Sequence, residues 1–112
     1  MAFQDITGIK IAQEALTTSF DTYYTTPDDT RTYVKDITVS NTTAGALNLF
    51  VCLVPSGASA GTTNALIYTK QVAANDIYQW TGLQIIEAGG TLQAKGSGAG
   101  LTINVSGANA VE

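Results

Sequence analysis

The chain has no histidine and a single cysteine, Cys52. Without histidine, the usual base of a nucleophilic triad and the commonest metal ligand are both missing. One cysteine makes no internal disulfide, so nothing marks an oxidising compartment. Cys52 lies in LFVCLV, where a small apolar residue fits a strand and no cation or helix terminus favours a thiolate. It reads as packing. Charge is scarce as well, with Asp, Glu, Lys and Arg at 12% of the 112 residues, against an ordinary share of about 25%. The five basic residues, Lys10, Arg31, Lys35, Lys70 and Lys95, are far apart. Neutralising several phosphates together needs clustered cations, so no nucleic-acid partner is expected. No apolar run approaches the ~18 residues of a membrane span. The opening MAFQDITGIKIAQ has neither the basic start nor the continuous apolar core of a secretory signal.

What is present is strand. In RTYVKDITVS, Tyr33, Lys35, Ile37 and Val39 alternate with Val34, Asp36 and Thr38, a period of two rich in β-branched residues. In ALNLFVCLV, Leu47, Leu49, Val51 and Leu53 alternate with Asn48, Phe50, Cys52 and Val54. Both faces of this run are apolar, which places it centrally in a sheet, covered on both sides or turned to a partner. A bland segment, PSGASAGTTN, leads into ALIYTKQV, with Leu66, Tyr68 and Val72 assigned to one side. Then come IYQW, GL and QII, the Gly89-Gly90 punctuation, TLQAKG with Leu92 and Ala94 in phase, and LTINVSG with Leu101, Ile103 and Val105 inward. Upstream, GIKIAQEAL and SFDTYYTT add two more strands. This makes about eight or nine strands, one roughly every ten to twelve residues, and predicts an all-β fold: a single antiparallel β-sandwich, jelly-roll-like. Residues 8–112 form that domain, and residues 1–7 stand apart from the strand pattern as an N-terminal arm.

No catalytic, metal-binding or cofactor-binding residues emerge. The nine acids fall in no recognisable paired-carboxylate arrangement, so no enzymatic activity is expected. Asp28-Asp29 is followed by Thr30 and Arg31, where a calcium loop needs further oxygens and a glycine; the pair reads as a turn. NTT at Asn41 and NVS at Asn104 match the glycosylation acceptor pattern, but without a secretion signal they read as chance matches. The aromatics remain. Tyr23 and Tyr24 are adjacent and point to opposite faces in a strand, while Tyr78 and Trp80 share one face. Outward aromatics anchor partner contacts. Candidate contact residues are therefore Tyr23, Tyr24 and Tyr78, with Phe3, Ile6 and Ile9 from the start of the chain.

From about Phe20 onward the chain resembles the small β-sandwich virion proteins of tailed bacteriophages. The resemblance is carried by Val39 to Thr42, Val51 to Gly57, Ala74-Asn75, Gly82 to Ala94 and Val105 to Gly107, and departs at Gly90, where such proteins often carry Asp. It implies a non-enzymatic virion component made in the bacterial host cytoplasm. Foremost is a capsid decoration (cement) protein that binds the outside of the head, with the major capsid protein or other virion proteins as partners. The alternative is a tail or fibre module that binds a host-surface receptor or glycan. Such proteins are often trimeric, so the resemblance implies a homotrimer. Open sheet edges with few guarding charges independently favour a closed oligomer.

Overall fold

A computed structural model describes residues 5–111. Eight strands follow one another: β1 (Asp5–Ala15), β2 (Asp21–Thr25), β3 (Thr30–Asn41), β4 (Leu47–Val54), β5 (Ala65–Val72), β6 (Ile77–Ile86), β7 (Thr91–Gly96) and β8 (Leu101–Val111), with one 3₁₀ turn at Thr62–Asn64. IYQW, GL and QII, read separately in the sequence, are one strand. Residues 5–7, expected in the arm, pair with β8 as the start of β1.

Two four-stranded sheets result, β1-β8-β3-β6 (sheet A) and β2-β7-β4-β5 (sheet B), antiparallel throughout. The outermost pairing in sequence is β1 with β8, then β2 with β7, β3 with β6 and β4 with β5. The chain is thus one long ribbon doubled back at residues 55–64 and rolled so that β8 also meets β3 and β7 also meets β4. This is the jelly-roll arrangement. The bland PSGASAGTTN segment is the tip of the ribbon. It folds onto the outer face of β4, where the Gly61 carbonyl lies 3.6 Å from Cys52 Sγ, and Asn64 holds it through Gly61 N and the Ser59 carbonyl.

Between the sheets, Val34, Ile37, Val39, Leu49, Val51, Leu92, Leu101, Ile103 and Val105 are fully buried. Each contributes on the order of 1.5–3 kcal/mol of transfer free energy. Alternation puts them there, except where the register breaks. Lys35 is an extra residue between Val34 and Asp36 in the pairing of β3 with β8, and against β6 the register breaks at the same point, where Lys35 faces two residues, Gly82 and Leu83. On its early side Thr30, Thr32 and Val34 point inward; on its late side Ile37, Val39 and Asn41 do. The single alternation expected for this run, with Tyr33 and Lys35 in phase with Ile37, is therefore corrected: a bulge rephases the strand. A second correction falls on β5. Its register slips opposite Phe50, Thr69 takes φ 58, and Ile67 turns inward in place of Leu66 while Tyr68 faces solvent. β1 carries an extra residue too, Ile11, within a residue of the β3 break along β8.

Candidate interaction surfaces

Cross-strand registers divide the outer face of sheet A into two halves. On one side of the line of bulges the rows are Lys10, Ser106, Asp36 and Thr81, then Gln13, Asn104, Thr38 and Gln79. Five of these residues hydrogen-bond within the group. Asp36 accepts from Gln79 Nε2 at 2.9 Å and Thr38 Oγ1 at 3.0 Å, and Lys10 Nζ donates to Gln13 at 2.7 Å. Beyond the bulges the next row is Gly8, Ala108, Tyr33 and Ile85, and the row after it Ile6, Ala110 and Arg31. That half is apolar up to its rim, where Arg31 Nε meets Glu87 at 3.3 Å. Ile6 is 67% exposed, Leu83 55% and Ile85 44%.

At the same end a cavity of about 230 Å³ opens between the sheets, lined by Leu53, Val54, Pro55, Ile85, Ile86 and Ala88 with Ser56, Glu87 and Gly90. Gly90 is buried here. A Cβ on it would meet Ile86 Cγ2 at 2.7 Å and the Glu87 carbonyl at 3.0 Å. There is no room for an Asp side chain at this position.

A second cluster lies on the outer face of sheet B. Phe50 packs edge-on against Tyr68 at 4.9 Å and Phe20 at 6.4 Å. Lys95, its cross-strand neighbour, holds Nζ 4.7 Å from the Phe20 ring centre and 4.9 Å from that of Phe50. The cation lies on the rings rather than in open water. The sequence pattern gave no reason to single out Phe20, Phe50 or Tyr68; only the β5 slip turns Tyr68 toward Phe50.

The candidate contact residues scatter. Phe3 lies outside the described residues. Ile6 is at the rim of the apolar half-face. Ile9 is partly buried and packs on the core, opposite Gly107. Tyr23 and Tyr24 do not take opposite faces: Tyr23 sits at a register break in β2, and both pack on the core. The hydroxyl of Tyr24 accepts from Asn109 Nδ2 at 2.9 Å, at the end of a chain in which Thr26 donates to Thr32 and Thr32 to Asn109 Oδ1. The Tyr23 hydroxyl is buried without a hydrogen-bond partner among the described residues, and burial first, then the nearby Asp21 carboxylate, pushes its pKa up. Tyr78 and Trp80 lean on the core, and Lys70 Nζ sits 5.2 Å over the Tyr78 ring. Asn41, one of the acceptor-pattern matches, is buried; its Nδ2 donates to the Gly45 and Val72 carbonyls and its Oδ1 accepts from Thr43. Among the described residues, no three His, Cys, Asp or Glu side chains converge as a metal site, and no helix is long and apolar enough to cross a membrane.

No family model matches the chain, and no curated protein sequence does. Among solved structures, a chain in the structure of infectious bursal disease virus, Gx strain, superposes with a TM-score of 0.56 at 14% identity, over 96% of this chain and 32% of that one. The corresponding Gt strain chain gives 0.50 at 11% identity, again over 96% and 32%. What they share is the fold. This chain spans about a third of the length of those viral chains, 32%, and within that span the rolled double sheet is common to all of them.

Proposed function

We propose that this protein is a structural component of a virus particle, and within that class a bacteriophage capsid decoration protein that binds the outside of the head as an oligomer. The observation that carries the reading is the divided outer face of sheet A. Its polar half is internally hydrogen-bonded, while its apolar half, with Ile6, Tyr33, Leu83 and Ile85, is left for a neighbour. Exposed contiguous apolar surface marks contact sites, and a shell of other virion proteins is a partner that leaves little water on such a face. The jelly-roll likeness to chains of a virus particle and the phage-like turn and strand motifs support the same class. Asp36, Asp21, Asp76 and Glu87 each hold a neighbouring hydroxyl, amide, backbone N–H or guanidinium.

Cryo-electron microscopy of particles from a lysate containing this protein tests the reading. Many copies on the head, with Tyr33 and Ile85 turned to the shell, are expected, together with loss of incorporation for Ile85→Lys. Absence from every particle overturns it. A second reading, a tail or fibre module that binds a host glycan, is favoured by the Phe50–Tyr68 cluster, because Tyr68 is half exposed and aromatic faces stack on sugars. Glycan binding by the purified protein, abolished by Tyr68→Ala, together with copies confined to the tail, would select it.

A further inference from the structure

The outer face of sheet B carries a row that runs from Phe20, just before β2, over Lys95 on β7 and Phe50 on β4 to Tyr68 on β5. Alternation aims Lys95 and Phe50 outward, since their neighbours Ala94, Gly96, Leu49 and Val51 are buried. The register slip in β5 brings Tyr68 against Phe50, and Tyr68 stays 49% exposed. Of the lysines, Lys95 alone is half-buried; Lys10, Lys35 and Lys70 are exposed. A cation drawn out of water ordinarily has an anion beside it. Among the described residues no carboxylate pairs with Lys95, and the Phe20 and Phe50 rings hold it instead. Asp21, next to Phe20, lies opposite the inward Ala94 and accepts from Thr17 Oγ1 at 2.7 Å. Rings position a cation without neutralising it, so a fixed positive charge is left on this face. Beside the row, Asn48 and Gln71 pair across β4 and β5, and their side-chain amides make no hydrogen bond among the described residues.

We propose that this face binds an acidic saccharide, a sugar residue bearing a carboxylate; this rests on reading the Phe50–Tyr68 cluster as a glycan contact. Lys95 meets the carboxylate, Tyr68 takes the apolar C–H side of the ring, and the Asn48 and Gln71 amides meet its hydroxyls. Charge, shape and polarity each select that class. A lone cation suits a ligand with one charge per residue, whereas a nucleic acid needs several cations clustered, and the chain's net charge of −4 opposes a densely charged strand. A half-exposed aromatic face suits the flat side of a pyranose and has nothing to offer a bare inorganic anion. Side-chain amides donate and accept together, which is what neighbouring sugar hydroxyls require. An acidic peptide would supply the carboxylate but no run of hydroxyls for those amides.

The test is calorimetric titration of the purified full chain with short oligosaccharides of galacturonic acid and with sialyllactose. Each is run beside its methyl ester, which keeps the sugar and removes the charge. The acid forms are expected to bind at least about tenfold more tightly than the esters, as a charge-assisted hydrogen bond implies, and the preference should shrink with added salt. Lys95→Met keeps an apolar stem on the rings and should erase the preference. Tyr68→Ala should abolish binding of both forms, and Lys35→Ala, on sheet A, should alter neither. The acid–ester comparison uses the wild-type chain, so it decides even where a variant fails to fold. Equal binding of acid and ester, lost in Tyr68→Ala, overturns the acidic ligand and leaves the glycan contact standing. Binding of none of these sugars in either form overturns both, and leaves the head-decoration reading untouched. A preference for the acid that survives Lys95→Met overturns the site, as does tighter binding of a glutamate-rich peptide than of any saccharide.

Discussion

Gly107 shows how single residues hold the roll together. It stands where β1 and β3 both break register, paired with Ile9 on one side and Val34 on the other. A Cβ there would collide with the Tyr33 carbonyl and press on Ile11 Cδ1. Gly107→Ala is therefore expected to destabilise the protein by about 1–3 kcal/mol, the range for overpacking a filled site. Gly45→Ala, with nothing within 4 Å of the added carbon, should be neutral or slightly stabilising through a stiffer unfolded chain. Urea unfolding of the two variants side by side makes the comparison. Cys52 acts through its proton. Burial first raises the thiol pKa above its ordinary 9.0, against smaller lowering effects of the Gly61 hydrogen bond and Lys95. As pH rises past that ordinary value, the unfolded chain releases the proton while the folded chain retains it. Stability present at lower pH is then lost toward the folded pKa. The urea midpoint should fall above about pH 9, and less steeply in Cys52→Ala. Tyr23, whose pKa is also raised, adds to the fall at still higher pH in both proteins. Thiol-reactive reagents should label Cys52 only as the chain unfolds; rapid labelling of the folded protein would contradict its burial beneath Gly61.

At the scale of the strand, the bulge at Lys35 does the sorting. It lets Val34 and Ile37 both face the core though they are three residues apart, and it separates the polar from the apolar half of the outer face. Deleting Lys35 would force one alternation through β3. With the late half held in place, Thr30, Thr32 and Val34 would swing outward and Arg31 and Tyr33 inward. Circular dichroism and thermal unfolding should show a protein that does not reach the native state at 25 °C, while Lys35→Ala, which keeps the extra residue, should change stability by no more than about 0.5 kcal/mol. Here lies the boundary of what the sequence discloses. The strands and the inward set Leu92, Ala94, Leu101, Ile103 and Val105 follow from alternation alone, because those strands keep their phase throughout. β3 and β5 do not, and neither strand has a glycine or proline of its own at the break to announce it, the glycines at the β3 break lying on its partners, Gly107 on β8 and Gly82 on β6; the positive φ of Thr69 falls on a β-branched residue that ordinarily avoids it. For the same reason the apolar half-face was only partly visible. Ile6 stood out as apolar, but Tyr33 and Ile85 become its neighbours through pairings of β1 with β8, β8 with β3 and β3 with β6, which no local pattern contains.

Across the whole molecule, every ladder joins a strand from β1–β4 to one from β5–β8. Among the described residues, no two strands of the same half are hydrogen-bonded neighbours, in either sheet. Each half therefore has apolar faces but none of its own native partners, and all the pairing is closed through the ten-residue-scale tip, about as far in sequence as the chain allows for β1 with β8. Folding should be slow for the length, in the millisecond-to-second range of proteins dominated by non-local contacts, and unfolding a single transition, since no ladder survives within one half. A cut in the tip makes this concrete. Fragments 1–58 and 59–112, expressed separately, should each lack native β structure by circular dichroism and amide exchange, and on mixing at equal concentration should regain it with a midpoint that rises with concentration, as two-chain association requires. The break falls among exposed residues, between the Ala58 N–H bonded to the Pro55 carbonyl on one side and the Asn64 hold on Ser59 and Gly61 on the other, and no bond among these joins the two sides of the cut, so the rejoined sandwich loses little beyond the covalent link. A half that folded by itself would show that strands pair within it and that the doubled ribbon is not what organises this chain.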